Sequence, residues 1–261
     1  MKKISIITCT FNSAEYLQRN INSVKEQNFL DFEHIFIDGF STDGTVDIIE
    51  KYRDDFPEKV SFFQFKAKGI SDAMNKGVER SSGQYIVHLH SDDYFFDNNV
   101  LGDVINFLEN NNYPDWIYGK ISVSKDSVFK GFFPEKNIWK RKEKDFFKNY
   151  LLKFYNYIPH QSVFIKRSVF EKFGSFDENI TSAMDFDFWL RIRKKTRWFY
   201  YNRVLSCFSL RLGSQSSDFF KKNENSRNVH LVQRRYLNFI EMLIGRIICF
   251  FVNFFNNNYI K

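Results

Sequence analysis

Short apolar runs and helical patterns alternate along the first 118 residues, and this alternation constrains the fold more than any other feature. The runs are rich in β-branched and aromatic residues, and the segments between them carry apolar residues at helical spacing, as in Leu17, Ile21 and Val24. Strands that alternate with helices of this length form βαβ units and a mostly parallel sheet. The predicted strands are Ile4–Cys9, His34–Asp38, Val60–Phe65, Tyr85–His90 and Asp115–Tyr118, and two of the predicted helices are Ile70–Arg80 and Asn98–Asn110.

The second half of the chain has a less regular pattern. Val169–Phe173, stopped by Gly174, and Met184–Lys195 are predicted to be helical, whereas Trp198–Leu212 is predicted to form one or two strands. Lys136–Lys148 is basic with scattered aromatic residues, and a solvated helix face is its favoured interpretation.

Length and composition indicate one α/β domain with a large core, because 43% of the 261 residues are hydrophobic. The net charge of +7 suits a phosphorylated ligand, an anionic lipid surface or nucleic acid. Nucleic acid is not expected, since no zinc-finger spacing and no arginine-rich arm is present. The three widely spaced cysteines predict no disulfide framework, which fits a reducing cytosol. The apolar run near the N-terminus is too short for a signal peptide.

A pair of acids follows the fourth predicted strand, in His90-Ser91-Asp92-Asp93-Tyr94. Ligands of parallel α/β sheets bind beyond the carboxyl ends of the strands, and this pair lies at such an end. Two adjacent carboxylates repel each other, and a hard divalent ion that also binds diphosphate oxygens relieves the repulsion. A solvated turn with a helix cap remains the alternative.

Three further segments carry polar residues at predicted strand ends or helix starts. Asp38–Thr45 runs from a strand-end acid through a glycine turn, and Asp43 and Thr45 are interpreted there as helix-capping residues. Gly69–Gly77 brackets a polar helical turn but lacks the spacing of a P-loop. Met184–Arg191 places Asp185 and Asp187 among aromatic residues, where an acid can have a raised pKa and act as a base. A helix cap is the alternative for Asp185.

In this order, the segments resemble the family 2 glycosyltransferases, which are inverting enzymes with the GT-A fold. The resemblance extends to about Ser217, and no single motif decides it. It rests on Ile4–Asn12, Asp38–Thr45, Gly69–Gly77, Ser91-Asp92-Asp93, His160–Phe164, Gly174–Glu178 and Asp185–Arg191. It implies a Rossmann-like, mostly parallel sheet flanked by helices, with a C-terminal amphipathic helical extension.

The resemblance also implies roles for individual residues. Asp93 would be the ligand of a Mn²⁺ or Mg²⁺ ion, Asp185 the catalytic base, and Asp187 a support for the loop of the base. Gly39 stands where many relatives carry a second acid, so contacts to the base or ribose would rest on Asp38 alone. The expected nucleotide-sugar contacts are Thr10, Asn12, Asp38, Lys68 and Asp92, and the expected acceptor contacts are His160 and Trp189.

An inverting hexosyl transfer from a UDP-sugar is the activity that the resemblance implies. The implied acceptor is an N-acetylhexosamine or oligosaccharide on a lipid such as undecaprenyl diphosphate, and a β-1,3-linked glucose or galactose in O-antigen or surface polysaccharide is the specific expectation. The implied location is the cytoplasmic face of the bacterial inner membrane, held peripherally.

The predicted organisation is a GT-A domain over 1–217, with a nucleotide-binding half over 1–118 and an acceptor-binding half over 119–217, followed by a segment over 218–261. In that segment Leu237–Phe255 is apolar but interrupted by Glu241 and Arg246, so no spanning helix is expected. An interfacial helix on an anionic membrane is one interpretation, and packing on the domain or on a second subunit of a homodimer is the other.

Three rival functions remain to be compared. A sugar nucleotidyltransferase requires a glycine-rich, basic loop after the first strand, whereas the chain has Thr10-Phe11-Asn12-Ser13 there. A nicotinamide dehydrogenase requires a Gly-x-Gly-x-x-Gly turn, which is absent. A non-catalytic sugar-nucleotide-binding protein is disfavoured by the presence of both Asp93 and Asp185.

Overall fold

The structure is a computed structural model that describes residues 3–66, 68–125, 128–134, 150–210, 219–242 and 244–245, without the side chains of 219–225. Its strands are β1 (Ile4–Thr10), β2 (Phe32–Asp38), β3 (Val60–Gln64), β4 (Tyr85–His88), β5 (Tyr94–Phe95), β6 (Trp116–Lys125), β7 (Val128–Phe133), β8 (Val163–Lys166) and β9 (Trp198–Leu210). Its helices are α1 (Ala14–Lys25), α2 (Thr45–Asp55), α3 (Ile70–Arg80), α4 (Val100–Asn110), α5 (Arg167–Phe173), α6 (Met184–Ile192) and α7 (Phe219–Tyr236).

One sheet contains all of these strands, in the order β3-β2-β1-β4-β8-β6-β9-β5, with β7 paired to β6. The pairs β1–β2, β2–β3 and β1–β4 are parallel, as the alternation of strands and helices predicts. β8 is antiparallel to both of its neighbours, and β6 and β9 are parallel. The predicted α/β fold with a mostly parallel, helix-flanked sheet is therefore confirmed for the described residues.

The central strand β1 is buried along its whole length, because helices cover both faces of the parallel part of the sheet. α3 lies especially close to it. A Cβ atom added at Gly77 would be 2.3 Å from Cγ2 of Ile7, so only glycine allows this approach. The close contact fixes α3, and with it the Gly69–Gly77 segment, against β1.

Short strands are the elements that the sequence pattern does not predict. β5 has two residues and β8 has four, too few to establish an alternation of polar and apolar positions. β7 is mostly exposed and pairs with β6 alone. The predicted strand at Trp198–Leu212 is present as the single long strand β9.

A stack of indole rings forms the core beneath the second half of the sheet. The ring of Trp116 stacks on Trp198, with centroids 4.7 Å apart, and on Trp189, with centroids 5.3 Å apart. Trp116 is fully buried and Trp189 is 2% exposed. Such ring pairs contribute about 0.5–1.5 kcal/mol beyond the burial of their area.

The C-terminal helix α7 packs on the domain. Nε2 of its Gln233 donates to the carbonyl oxygen of Phe154 at 3.2 Å, and Glu241, which follows the helix, forms an ion pair with Lys153. Within the described part of the chain, no helix is long and apolar enough to cross a membrane. The predicted helix at Lys136–Lys148, most of Leu237–Phe255 and Cys249 lie outside the described residues. Cys9 and Cys207 are buried free thiols.

Candidate active site

Asp43 joins the two loops that follow β1 and β2. Its carboxylate accepts from the backbone N–H of Ala14 at 3.0 Å and from the N–H of Thr45 at 3.1 Å, so it caps the starts of α1 and α2 together. The hydroxyl of Thr45 also donates to it, which lowers the pKa of Asp43. The capping interpretation of Asp43 fits these contacts, although the residue at the N-cap position of α2 is Gly44.

Asp38 and Thr10, which are predicted to contact the nucleotide, lie inside the protein. Asp38 is 0% exposed, and its carboxylate accepts from the hydroxyl of Thr10 at 2.8 Å. It also accepts from the N–H of Ser41 at 2.8 Å and from Nε2 of Gln64 at 3.2 Å. Because both carboxylate oxygens have donors within the protein, Asp38 shapes the turn on which the exposed residues stand.

The exposed residues around this turn offer contacts to a nucleotide. Asn12 is exposed at its rim, and its side-chain oxygen accepts from the N–H of Thr42 at 2.9 Å. Phe11 and Phe40 are 67% and 53% exposed, and both are unusually large apolar side chains for such positions. Lys68 is also exposed, at the start of α3. The sequence motifs did not predict a role for Phe11 or Phe40.

The two acids after β4 differ in their surroundings. Asp92 is half-buried, and its negative charge acts on the rings of His90 and His160. Asp93 is 1% exposed, and its charge acts on the thiol of Cys207 in β9. The resemblance gives the metal to Asp93 and the nucleotide to Asp92, whereas their positions favour Asp92 as the carboxylate that faces the site.

Asp185, in the first turn of α6, belongs to the same group of charges. It is half-buried, and burial raises the pKa of its carboxyl group. Its Oδ2 accepts from Nδ2 of Asn156 at 3.2 Å, and its Oδ1 accepts from the N–H of Phe186 at 2.7 Å. The charges of Asp185 and His90 act on each other. An acid with a raised pKa beside an open site can serve as a base.

A pair of histidine rings lies close to these acids, because the charges of Asp92 and Asp185 act on His90 and that of Asp92 acts on His160. The rings of His90 and His160 pack edge to face, with centroids 4.7 Å apart. Burial lowers the pKa of His90 to about 3 and that of His160 to about 4, so both rings are neutral at physiological pH. The structure thus brings Asp92, Asp185 and His160 together, as predicted residues of one site. His90 stands inside the carboxylate motif but was not singled out, and Asn156 has no recognisable sequence signal.

Asp187, two residues after Asp185, has a different role. It is 1% exposed, and it accepts from Nη2 of Arg191 at 2.9 Å, from Nη1 of Arg235 at 3.2 Å and from the hydroxyl of Tyr236 at 3.1 Å. A buried carboxylate with this many donors is a structural anchor. The prediction that Asp187 supports the loop of the base fits this arrangement.

Trp189 is the predicted acceptor contact that does not fit its position. Its ring is 2% exposed and stacked on Trp116, so it offers no surface on which an acceptor sugar could lie. His160 is half-buried and stays a candidate.

The side chains available as ligands decide whether a divalent metal ion could bind at this site. Among the described side chains, no group of three or more His, Cys, Asp or Glu residues could hold a metal ion by itself. Mg²⁺ and similar hard ions, however, commonly bind one or two carboxylates and complete their shells with substrate phosphates and water. The acid pair Asp92 and Asp93 fits an ion of this kind, brought together with a diphosphate.

Residues 5–174 match the family described as glycosyl transferase family 2. The chain belongs to this family. Over 189 residues it is 28% identical to a PGL/p-HBAD biosynthesis glycosyltransferase of Mycobacterium bovis, and the match covers 72% of this chain and 68% of the relative. Over 111 residues it is 33% identical to the poly(ribitol-phosphate) beta-N-acetylglucosaminyltransferase TarS of Staphylococcus aureus, covering 42% of this chain and 19% of TarS.

Solved structures confirm the GT-A fold. TarS 1–349 in complex with UDP-GlcNAc superposes with a TM-score of 0.71 at 21% identity over 88% of this chain. The mannosyltransferase PcManGT of Pyrobaculum calidifontis, in complex with GDP-Man and Mn²⁺, superposes with a TM-score of 0.66 at 15% identity over 90% of this chain. This chain spans 65% of the length of each of these two chains. The matched family is one of glycosyltransferases, and TarS and PcManGT are seen with nucleotide sugars in their own structures.

Proposed function

We propose that this glycosyltransferase moves a hexose from a UDP-sugar to a lipid-linked N-acetylhexosamine or oligosaccharide with inversion at the anomeric carbon. The observation that carries the proposal is the meeting of Asp185 and Asp92 around one histidine pair at the end of β4. An inverting displacement requires a base for the acceptor hydroxyl and a group that stabilises the leaving diphosphate, and these two carboxylates are proposed for the two roles.

Asp185 is proposed to take the proton from the acceptor hydroxyl. The oxygen then forms a bond to the anomeric carbon while the bond from that carbon to the diphosphate oxygen breaks on the opposite face. Asn156 and the N–H of Phe186 hold the carboxylate in place during this transfer. A Mn²⁺ or Mg²⁺ ion, held by the pair Asp92 and Asp93, would neutralise charge on the leaving diphosphate when bound.

The donor is proposed to lie along the exposed rim of the turn after β2. Asn12 provides polar groups, Lys68 a positive charge for the phosphates, and the exposed rings of Phe11 and Phe40 a stacking surface for the base. The buried pair Thr10 and Asp38 supports this rim from beneath. The UDP-GlcNAc in the TarS complex supports a UDP-sugar as donor, whereas the GDP-Man in the PcManGT complex makes GDP-sugars the alternative.

The lipid-linked acceptor is proposed from the exposed apolar residues of the C-terminal segment. Phe239 and Ile240 are 78% and 68% exposed, and Arg234 is exposed nearby. Apolar and basic residues side by side suit the surface of an anionic membrane, such as the cytoplasmic face of a bacterial inner membrane. A glycolipid or polysaccharide product, as in O-antigen synthesis, would be assembled on such a surface.

A donor-hydrolysis screen tests the proposal. Purified protein is incubated with UDP-, GDP- and TDP-sugars, with and without Mn²⁺, and the released nucleoside diphosphate is measured. We expect release from a UDP-hexose in the presence of Mn²⁺ and loss of that release in Asp185→Asn when an acceptor sugar is added. Tight binding of UDP-sugars without turnover under any condition would instead support the non-catalytic binding protein.

A further inference from the structure

Three buried ring nitrogens without a hydrogen-bond partner among the described residues belong to side chains around one small cavity. They are Nε2 of His88, Nε2 of His160 and Nε1 of Trp189. The cavity is otherwise lined by apolar side chains, including Met74 and Phe176. A buried polar atom without a partner is destabilising, so three around the same space indicate a common partner.

The chemistry of the three nitrogens is complementary to one small molecule. The ring of His88 forms a hydrogen bond with the backbone of Met74, and this bond must use Nδ1 because Nε2 has no partner. Burial lowers the pKa of His88 to about 3, so the ring is neutral and its Nε2 is an acceptor. The indole N–H of Trp189 can only donate. The cavity therefore presents one acceptor, one donor and a histidine nitrogen that can be either.

We propose that one water molecule occupies this cavity, accepts from the indole N–H of Trp189, and donates to Nε2 of both His88 and His160. Buried waters typically form about three hydrogen bonds to groups that otherwise lack partners, and this site offers three. His88 is 5% exposed and Trp189 is 2% exposed, so two of the side chains are rigid parts of the core.

The proposed arrangement of the water assigns one tautomer to His160. If Nε2 of His160 accepts from the water, the proton of its neutral ring lies on Nδ1. The ring of His160 packs against that of His90, with centroids 4.7 Å apart, and it interacts electrostatically with the carboxylate of Asp92. Nδ1 of His160 is thus a hydrogen-bond donor close to the acid pair Asp92 and Asp93. Trp189 acts on the site through the water, as a positioning residue, although it touches no acceptor.

The proposed function is needed only for the effect on catalysis, whereas the water site can be tested in the free protein. Protein labelled with ¹⁵N-histidine is studied by long-range ¹⁵N–¹H correlation NMR, and His160→Gln assigns the signal. We expect the Nδ1–H tautomer for both His88 and His160. A crystal structure at high resolution should contain one water within hydrogen-bond distance of all three nitrogens. The Nε2–H tautomer of His160, or a cavity without water density, overturns the proposal.

A pair of tryptophan variants separates the water from the ring stack. Trp189→Phe removes the indole donor from the cavity. Trp198→Phe weakens the stacking on the same Trp116, but Trp198 itself does not line the cavity. We expect Trp189→Phe to convert His160 to a mixture of tautomers and to lower kcat about tenfold with unchanged KM for the donor. Trp198→Phe should preserve the Nδ1–H tautomer. Equal effects of both variants on the tautomer would assign Trp189 a purely structural role.

The two proposals fail in different ways. The expected tautomers together with a protein that transfers no sugar would leave the water site intact and reject the proposed function. Sugar transfer by a protein whose His160 carries its proton on Nε2 would do the reverse.

Discussion

Nη1 of Arg235 lies 3.2 Å from the carboxylate of Asp187 and 2.8 Å from that of Asp177. One guanidinium of α7 therefore joins the loop before α6 to the first turn of α6, and Asp185 lies between those two points in the sequence. Asp177 has a lowered pKa, because this bond and those of Asn179 outweigh the effect of burial, which raises it. The C-terminal helix is thus part of the support of the proposed base.

Arg235→Ala is expected to lower kcat about tenfold while the Kd for the donor stays within about twofold, because the base is displaced and the nucleotide rim is not. The free energy of unfolding should fall by about 1.5 kcal/mol, since Asp187 keeps its bonds to Arg191 and Tyr236. Initial-rate kinetics and urea denaturation measure the two effects. Arg234→Ala, at the exposed neighbouring position, is the matched control. Equal losses in both variants would contradict the role of Arg235.

The pH dependence of transfer should show one acidic limb, owing to Asp185. The base works only when deprotonated, and burial raises its pKa, so activity is present above that pKa and is lost as the pH falls through it. Asn156→Ala removes a donor to the charged carboxylate, which raises the pKa further and moves the limb to higher pH. Profiles of kcat against pH for the two proteins measure the shift.

Asp185→Asn is the control for this profile. It should abolish transfer and retain UDP binding, measured by calorimetry, because Asp185 is not among the residues proposed to hold the nucleotide. A fully active Asp185→Asn enzyme would reject the base assignment. If the acidic limb of the kcat profile did not shift in Asn156→Ala while Asp185→Asn was inactive, only the effect of Asn156 on the pKa of Asp185 would be rejected.

The acids Asp92 and Asp93 are expected to differ in their effects on stability. Asp92→Asn should weaken Mn²⁺ binding in the presence of UDP by at least about tenfold, because its carboxylate faces the histidine pair. Asp93→Asn and Asp93→Ala should weaken Mn²⁺ binding and lose transfer as well, but with a lowered Tm, because the side chain is 1% exposed. Titration of Mn²⁺ by electron paramagnetic resonance, together with thermal unfolding, separates the two. If only Asp93→Asn weakened Mn²⁺ binding, Asp93 would be the metal ligand and Asp92 the nucleotide contact, as the family resemblance implies.

The parallel half of the sheet could be predicted from the sequence pattern, whereas the meeting of Asp92 with Asp185 followed only from the resemblance to the family. Short apolar runs such as Ile4–Cys9 alternate with segments of helical spacing, and this alternation predicts parallel strands, whose carboxyl ends meet at one edge of the sheet. Asp43 could be recognised as a capping residue of α2 because its contact with Thr45 is local in the chain, whereas its contact with the distant Ala14 could not be predicted.

The burial of Asp38 and Trp189 could not be predicted in this way. Whether an acid at a strand end faces a ligand depends on donors from other strands, and Thr10 and Gln64 saturate Asp38. Likewise, an indole in an aromatic helix is exposed or buried according to its partner, which for Trp189 is the distant Trp116. Such contacts are tertiary and leave no local pattern.

Gly77→Ala tests the close approach of α3 to β1. The added Cβ would lie 2.3 Å from Cγ2 of Ile7, so the helix must shift, and we expect a loss of about 1–3 kcal/mol in the free energy of unfolding. Gly102→Ala is the control, because nothing lies within 4 Å of its added Cβ in α4, and it should gain about 0.5–1 kcal/mol. Urea denaturation measures both changes. A neutral Gly77→Ala would show that the helix has room to move.

The last prediction concerns binding of the C-terminal segment to membranes. Deleting the residues after Arg235 should release the protein from anionic vesicles, but it also removes Tyr236, which donates to Asp187, and Glu241, which pairs with Lys153. The double variant Phe239→Ser/Ile240→Ser is sharper, because both side chains are mostly exposed and their loss leaves those contacts in place.

Burying two such side chains in lipid is worth about 1.5–3 kcal/mol each, so the double variant should bind vesicles of anionic phospholipid at least about tenfold more weakly. Co-sedimentation with anionic and with zwitterionic vesicles measures the change. Phe129→Ser/Val128→Ser, on the exposed strand β7, is the matched control for a loss of surface apolar area. Unchanged binding of the Phe239/Ile240 variant would reject the membrane role and leave packing against protein as the function of the segment.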